Sequence, residues 1–277
     1  MDSTEKGFSP GTACPLVRER NTRLWAILIF LAVWLLYLPA VNYDYTDWDD
    51  HEYLLNPMVC APGPIWMLRS FTRSYQGYYA PTLWLTYRLG HSLWGLNSAG
   101  FHALNILLHS LNAVLVLILC RRLGLNPTSA LLAALLWALH PLRVESVAWI
   151  SELKDVLSGA GCLLAMLWYI RAVDKAGALD SEAPFGRADR LYSVPSFWLA
   201  VAAFGFGVGA KATVCTWPLA IGLVELFRRS WPQAEGKSGT GDFDRFTSSA
   251  KAELAILLRR LPCVSIAPFG WPVVPEV

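Results

Sequence analysis

The chain has 277 residues, of which 55% are hydrophobic and only 16% are charged, and its formal net charge is +2. An ordinary soluble domain carries about 25% charged residues, so this composition excludes that class, and the small net charge gives no support to nucleic-acid binding. The charges are clustered between long apolar runs, as in proteins that cross a membrane several times. The six cysteines show no CxxC or metal-ligand spacing and imply no disulfide framework.

Residues 1–23 are polar and end in Arg18, Arg20 and Arg23, which is typical of a cytoplasmic flank. The apolar run Leu24–Val41 that follows is long enough to cross about 30 Å of hydrocarbon. A cleaved signal peptide is the alternative, but the apolar core is long for one and no A-x-A cleavage site ends it. We therefore predict an uncleaved first membrane span.

The stretch 42–79 is predicted to be the longest external loop, and acidic residues crowd its beginning. Tyrosines and a tryptophan interleave these acids, and such amphipathic rings favour a membrane interface. Carboxylates beside a low-dielectric region either hold a proton more tightly or bind a cation, and both properties suit a chemical site. A solvated acidic loop without further function is the plainer interpretation. The acids are Asp44, Asp47, Asp49, Asp50 and Glu52.

Pro81–Leu96 alternates apolar with polar residues and predicts an amphipathic helix lying in the membrane interface. Phe101–Cys120 is the second predicted span. Four polar residues recur on it every three or four positions and so form one stripe: His102, Asn105, His109 and Asn112. Hydrogen bonding between helices is the favoured interpretation of this stripe, and the wall of a site is the alternative.

The stretch His140–Asp155, HPLRVESVAWISELKD, places several charged residues between two apolar runs, 131–139 and 156–170. Pro141 cannot continue the preceding helix, so a hydrophobic hairpin turns over here. If 143–155 is helical, Glu145, Trp149 and Glu152 share one face. The two glutamates are then about 10 Å apart along the helix axis, which is too far for them to share a proton.

A last hairpin, 197–209 and 213–227, carries Lys211 at its tip. Basic clusters at 18–23, 121–122, 171–175 and 228–229 fall on one side if six spans alternate, and Lys/Arg bias then makes that side cytoplasmic. The acidic loop, His140–Asp155 and Lys211 would all lie on the opposite face. We predict an all-α polytopic helical bundle of about six transmembrane helices plus interfacial helices. Its membrane domain is 24–229, between a cytoplasmic segment 1–23 and a cytoplasmic, irregular segment 230–277.

Four segments follow one another in a fixed order: YTDWDDHEYLLNP, GFHALNILLHSLNA, ALHPLRVESVAWISELKDVLS and GVGAKATVCTWP. This set, within about 24–229, resembles the membrane half of the transmembrane and tetratricopeptide-repeat-containing proteins. That family is similar to polyprenyl-phosphate-dependent glycosyltransferases of the GT-C fold. The resemblance implies transfer of a sugar from a polyprenyl-phosphate donor to a protein hydroxyl, with mannose as the sugar in eukaryotic members. It also implies a multi-pass protein of the bacterial inner membrane or the endoplasmic reticulum, with a periplasmic or lumenal active face.

The resemblance also implies roles for particular residues. An acid in the first external loop serves as general base or orients the acceptor, and this role maps onto Asp49 and Asp50. Arg143 and Lys211 would hold the donor phosphate, because a guanidinium fork matches two phosphate oxygens. Glu145 or Glu152 would orient a sugar hydroxyl or the basic groups, and His140 and His102 complete the substrate-binding set.

Alternatives remain for several of these residues. A divalent cation held by Asp47, Asp49 and Asp50 is possible chemistry, since hard cations prefer oxygen ligands. Arg143 could instead pair with Glu145 or Glu152 and only hold the hairpin tip. Lys211 could extend to the membrane surface without contacting a substrate.

Two features depart from the family pattern. No self-similarity occurs at the period of about 34 residues that marks tetratricopeptide repeats. Four prolines after Leu261 argue against a further span, so we expect a truncated or frame-shifted chain with little or no activity: Pro262, Pro268, Pro272 and Pro275.

Two other classes of function compete with glycosyl transfer. A transporter would bury ionisable residues at mid-depth in its spans, whereas these charges lie at span ends. A non-catalytic membrane anchor or scaffold for a repeat domain would leave the clustered external acids without a role.

Overall fold

The computed structural model describes residues 15–75, 77–178 and 191–230, and the side chains of 22–65, 67–75, 77–176 and 191–225. The described residues form α-helices and short 3-10 turns, with one isolated β-bridge between Tyr75 and Tyr78. The helices, in chain order, are α1 Pro15–Tyr37, α2 Asp50–Leu54, α3 Pro57–Cys60, α4 Ile65–Thr72, α5 Pro81–Trp94, α6 Ser98–Arg122, α7 Pro127–Ala138, α8 Arg143–Ala148, α9 Leu153–Ala178, α10 Pro195–Val208 and α11 Trp217–Ser230.

Within the described residues, three stretches are long and apolar enough to cross a membrane, namely Thr22–Asn42, Ser98–Arg122 and Ile150–Ala176. They coincide with three of the six predicted spans, and the prediction of an all-helical fold is confirmed for the described residues. The other apolar helices are shorter, with 12 residues in α7 and 14 in α10. At about 1.5 Å per residue, 14 residues extend about 21 Å, less than the hydrocarbon thickness of about 30 Å. The total of six spans therefore stays a prediction.

Asparagine and proline residues start several of these helices. Asn97 caps α6 by accepting a hydrogen bond from the Ala99 N–H, at 3.1 Å. Asn126 caps α7 in the same way, accepting from the Ser129 N–H at 2.9 Å, and Pro127 occupies the first helical position. These residue types are favoured there because the first turn has backbone donors without helical partners.

Helix α6 packs against α1, α7, α8 and α9. Three side chains of its polar stripe bond to main-chain carbonyls of neighbouring segments: Asn105 to Trp149 (2.9 Å), His109 to Ala138 (2.9 Å) and Asn112 to Val156 (2.8 Å). The interpretation of the stripe as interhelical hydrogen bonding is confirmed for His109 and Asn112, whereas Asn105 bonds to the extended residue that follows α8.

Helices α9 and α10 approach each other closely at glycines. A Cβ atom added to Gly161 would lie 2.6 Å from the Gly207 Cα and 2.8 Å from the Ala203 carbonyl oxygen. Only glycine at position 161 permits this approach. Because Lys211 lies just after α10, this packing also sets the position of Lys211 relative to α9.

The expected helix over 143–155 is wrong. Helix α8 ends at Ala148, Trp149 is extended (φ −89°, ψ 124°), and a 3-10 turn at Ile150–Glu152 leads into α9. Glu145 and Glu152 therefore lie on different elements, and the predicted common face does not exist.

The chain divides into two compact units, Met1–Trp217 and Pro218–Val277. The second unit is described only over 218–230, where it forms the remainder of α11. The interpretations of 1–14, most of the cytoplasmic loop 174–194 and the proline-containing tail lie outside the described residues.

Candidate functional site

Asp50 anchors the beginning of the acidic loop to the stretch His140–Asp155. Its side chain, 1% exposed, accepts hydrogen bonds at Oδ2 from the Thr46 main-chain N–H (2.9 Å) and hydroxyl (2.6 Å). Its Oδ1 accepts a hydrogen bond from the Ser151 N–H at 2.8 Å. Both carboxylate oxygens are therefore engaged, and one of them joins segments that are 101 residues apart in sequence.

The break between α8 and α9 is held by side chains from three other segments. Asn105 of α6 donates to the Trp149 carbonyl, and the Tyr87 hydroxyl of α5 donates to the Ile150 carbonyl at 2.8 Å. Asp50 accepts from Ser151. A helix break leaves main-chain groups without helical partners, and burying such groups unpaired is costly. These contacts explain why the chain can leave the helical path at Trp149.

Tyr45 fixes the same loop from the other side. Its hydroxyl donates a hydrogen bond to the Leu96 carbonyl, at 2.5 Å, in the turn that precedes α6. Burial, together with the negative charges of Asp50 and Asp44, raises the pKa of Tyr45 to about 12. The hydroxyl is therefore protonated at neutral pH and acts as a donor.

Asp49 and Asp47 differ from Asp50 in their surroundings. Asp49 is half-buried at the start of α2, and its carboxylate makes no capping hydrogen bond there. The Asp47 side chain is fully exposed, 3.9 Å from the His51 ring. Among the described residues, no group of three or more His, Cys, Asp or Glu side chains is arranged to hold a metal ion. Of the two acids predicted to be catalytic, Asp49 has the more accessible carboxylate.

Four charged residues, which we call the charge cluster, meet at the start of α9: Glu152, Lys154, Asp155 and Lys211. The Lys154 Nζ lies 2.9 Å from a Glu152 oxygen, and the Lys211 Nζ directly contacts the Asp155 Oδ1. The first pair is the more buried, with side chains 16% and 13% exposed, against 32% and 29% for the second. Lys154 also lies over the Tyr53 ring, 5.2 Å from its centroid.

Arg143 makes a contact that the sequence did not indicate. Its guanidinium lies over the Trp137 ring of α7, 4.6 Å from the centroid. No ion pair joins it to Glu145 or Glu152 in the described part of the chain, so the alternative of a salt-bridged hairpin tip is not what the structure shows. Glu145 is exposed, and so is His140, whose Nδ1 accepts from the Leu142 N–H at 3.2 Å.

His102 is the buried member of the predicted substrate-binding set. Its ring is 2% exposed and meets the Tyr43 ring edge-on, with centroids 6.3 Å apart. Its ring nitrogens lie near main-chain groups of Tyr43, Asp44 and Ala148, none of them within full hydrogen-bond geometry. His102 is thus placed beside the acidic loop, one turn of α6 before Asn105.

Sequence reasoning missed Lys154, Asp155 and Tyr87. The two charged residues lie in the stretch His140–Asp155, and their position just before an apolar run was the available signal. Their partners could not be read from spacing, since Lys211 is 56 residues from Asp155 and Tyr87 is 63 residues from Ile150.

An apolar groove of about 610 Å³ lies between α5 and α10. Its lining includes Phe71, Tyr79, Leu85, Leu89, Phe206 and Val208. The Thr82 N–H donates to the Gly209 carbonyl at 3.0 Å, which joins the start of α5 to the segment that leads to Lys211. The groove thus borders the chain segment that carries one lysine of the charge cluster.

Long apolar helices and a polar site at their ends define a helical membrane protein. Protein O-mannosyl-transferase TMTC4 of Homo sapiens is 33% identical to the chain over 217 residues, which are 69% of this chain and 27% of that protein. Protein O-mannosyl-transferase TMTC1 of Homo sapiens is 40% identical over 162 residues, which are 54% of this chain and 18% of the relative. For protein O-mannosyl-transferase tmtc2 of Xenopus laevis the identity is 31% over 153 residues, 52% of this chain and 18% of that protein.

These homologues confirm the resemblance to the transmembrane and tetratricopeptide-repeat-containing proteins. No protein-family model and no solved structure matches the chain. The chain spans about a quarter, or less, of the length of these relatives, with 27% of the first and 18% of the second.

Proposed function

We propose that this protein is a membrane glycosyltransferase that transfers a sugar from a polyprenyl-phosphate donor to a protein hydroxyl. The relatives are named protein O-mannosyl-transferases, so mannose is the proposed sugar. The observation that carries the proposal is the 2.8 Å hydrogen bond between Asp50 and Ser151, which joins the acidic loop to the stretch His140–Asp155. This bond connects the loop whose acids could activate a hydroxyl to the stretch whose cations could hold a phosphate.

Asp49 is the proposed general base. Its carboxylate is half-buried and makes no helix-capping bond, so it can approach an acceptor hydroxyl. Asp50, whose two oxygens are both occupied, holds the loop that carries Asp49. A positioned general base contributes about 10²–10⁴-fold to a rate.

The donor is proposed to bind across the groove and the charge cluster. An apolar groove of about 610 Å³ suits an isoprenoid chain, and Lys211 is a cation close to that groove for the phosphate. Glu152, Arg143, Glu145, His140 and His102 remain proposed substrate-contacting residues, with Arg143, Glu145 and His140 at the exposed end of their stretch.

A multi-pass topology with six spans, in a bacterial inner membrane or the endoplasmic reticulum, belongs to the same proposal. It places the acidic loop on the periplasmic or lumenal face and residues 174–194 in the cytoplasm. Labelling of single cysteines tests this, with Asp47→Cys and Ala183→Cys made in a background without the native cysteines. An impermeant reagent should label these two positions from opposite sides, and labelling from one side contradicts the topology.

Transfer is tested by incubating membranes that contain the protein with radiolabelled polyprenyl-phosphate mannose and measuring label in protein. Asp49→Asn should lower incorporation by about 10²-fold or more. Asp47→Asn is the matched control, since it removes a neighbouring, fully exposed carboxylate and should leave incorporation unchanged. No incorporation above membranes lacking the protein would contradict the proposal and favour the expectation of little or no activity. Equal incorporation in Asp49→Asn would contradict the role of Asp49 as general base.

A further inference from the structure

We infer that Asp155 is an internal substitute for the substrate anion: its carboxylate holds Lys211 and must leave when a phosphate group binds. The inference rests on the proposed function, because it concerns the phosphate of the donor. It adds two residues, Asp155 and Lys154, to the proposed site, and it assigns them different tasks.

The two ion pairs of the charge cluster differ in how firmly they are held. Lys154 is fixed by Glu152 at 2.9 Å and by the Tyr53 ring, and both charged side chains of that pair are largely buried. Lys211 and Asp155 are about one-third exposed. The Glu152–Lys154 pair is therefore the fixed part of the cluster, and the Asp155–Lys211 pair is the part that an incoming ligand can reach.

Asp155 has few other contacts that would keep its carboxylate in place. Its second oxygen accepts a hydrogen bond from the Ser146 hydroxyl at 3.3 Å, which is long for an O–H donor. Partly exposed ion pairs contribute only about 0–1 kcal/mol to stability. Rotation of the Asp155 side chain away from Lys211 therefore costs little if another anion replaces it.

The position of Asp155 suits a negative charge, whether it belongs to the carboxylate or to a bound phosphate. Asp155 lies in the first turn of α9, a helix of 26 residues, where the helix dipole favours negative charge. Lys211 and the nearby Lys154 add positive charge at the same place. The helix dipole and the two lysines that stabilise the carboxylate would also stabilise a phosphate bound here. The two anions therefore compete for one position.

If Asp155 competes with phosphate, one substitution should strengthen ligand binding instead of weakening it. Removing the charge of Asp155 should strengthen phosphate binding, because Lys211 then has no internal partner. If the pair only braces α9 against the segment after α10, the same substitution should leave binding unchanged or weaken it. The sign of the change thus separates the two roles.

The test measures binding of farnesyl phosphate to the full chain in detergent by calorimetry, with farnesol as the uncharged comparison and inorganic phosphate as the ligand without a lipid chain. Asp155→Asn should lower the Kd of farnesyl phosphate about twofold to fivefold, which corresponds to the loss of a competitor with the strength of an exposed ion pair. Lys211→Gln should raise that Kd about tenfold or more. Arg122→Gln, an exposed charge at the other end of α6, should change nothing.

A double variant shows whether Asp155 acts through Lys211. In the Lys211→Gln background, Asp155→Asn should have little further effect on the Kd, because the two residues form one interacting pair. Inorganic phosphate should follow the same order of variants with weaker binding, and farnesol should respond to none of them. Binding of inorganic phosphate as tight as that of farnesyl phosphate would overturn a lipid-linked source of the anion.

An unchanged or raised Kd in a folded Asp155→Asn protein would overturn this inference. Absence of farnesyl phosphate binding in both the native protein and Asp155→Asn would also overturn it. If mannose transfer is nevertheless observed in membranes, the proposed function stands and only the role of Asp155 fails. If the Kd values change as expected but no mannose transfer is observed in membranes, the role of Asp155 stands and the proposed function fails.

Discussion

Two neighbouring regions hold the start of α9, and they do so by different means. At the break between α8 and α9, buried side chains bond to the main chain of three consecutive residues, 149–151. A few residues later, the charge cluster consists of ion pairs between side chains, one of them about one-third exposed. The first region fixes the backbone, and the second leaves a cation within reach of solvent.

The difference follows from the cost of losing a partner. A buried main-chain donor or acceptor left without a partner costs about 1–3 kcal/mol, because water cannot replace the lost bond. An exposed ion pair can be replaced by water or another ion and is worth about 0–1 kcal/mol. Side chains that must not move are therefore expected at the break, and side chains that bind and release ligands are expected in the charge cluster.

Asp50→Ala should give the largest loss of stability. It leaves the buried Ser151 N–H without its acceptor, at a cost of about 1–3 kcal/mol, and it also removes the acceptor of the part-buried bonds from the Thr46 N–H and hydroxyl. Thermal unfolding in detergent measures this loss. Asp47→Ala, in the same loop but fully exposed, is the control and should have little effect. Equal unfolding temperatures for the two variants would remove the distinction between the regions.

Gly161→Ala tests whether helix packing sets the position of the charge cluster. The added Cβ would lie 2.6 Å from the Gly207 Cα, so α10 must move away from α9, and overpacking of this kind costs about 1–3 kcal/mol. Gly205→Ala on α10 is the control for stability only, because nothing lies within 4 Å of a Cβ there but the residue lines the groove. The Gly161 variant should also weaken farnesyl phosphate binding, as Lys211 follows α10. A fully stable Gly161→Ala protein would contradict this packing.

The two regions were unequally predictable from the sequence. Hydropathy located the three long helices, and the spacing of His109 and Asn112 indicated their hydrogen bonds to other helices. The break at Trp149 carried no local signal, because neither glycine nor proline occurs in 142–155. It depends instead on Asp50, Tyr87 and Asn105, which are distant in the chain.

Only part of the charge cluster could be predicted, again because the partners of its residues are distant in the chain. Lys211 and Glu152 were recognised as isolated charges beside apolar runs, whereas the role of Asp155 depends on a partner 56 residues away. Arg143 was expected to face a phosphate or a glutamate, but it lies over Trp137. Aromatic partners of this kind are set by how helices pack and cannot be inferred from charge spacing.

Tyr87→Phe gives a smaller test of the break. It removes one neutral hydrogen bond, at 2.8 Å to the Ile150 carbonyl, and should lower the free energy of unfolding by about 0.5–1.5 kcal/mol. Tyr78→Phe is the control, because that tyrosine is exposed. Denaturant or thermal unfolding followed by tryptophan fluorescence measures the difference. A loss as large as that of Asp50→Ala would mean that the tyrosine hydroxyl, and not the carboxylate, holds the break.

Lys211→Gln should have the smallest effect on stability, although it should have the largest effect on ligand binding. Its ion pair with Asp155 is about one-third exposed, so its loss should cost less than about 1 kcal/mol. Asp155 does not become a buried unpaired charge, because water reaches it. Unfolding of Lys211→Gln and of the native protein should therefore differ little, and raising the salt concentration should reduce the difference further, since screening weakens exposed pairs. A loss of stability comparable to that of Asp50→Ala would show that the pair is a structural brace. That outcome would contradict both the division between the two regions and the release of Lys211 that phosphate binding requires.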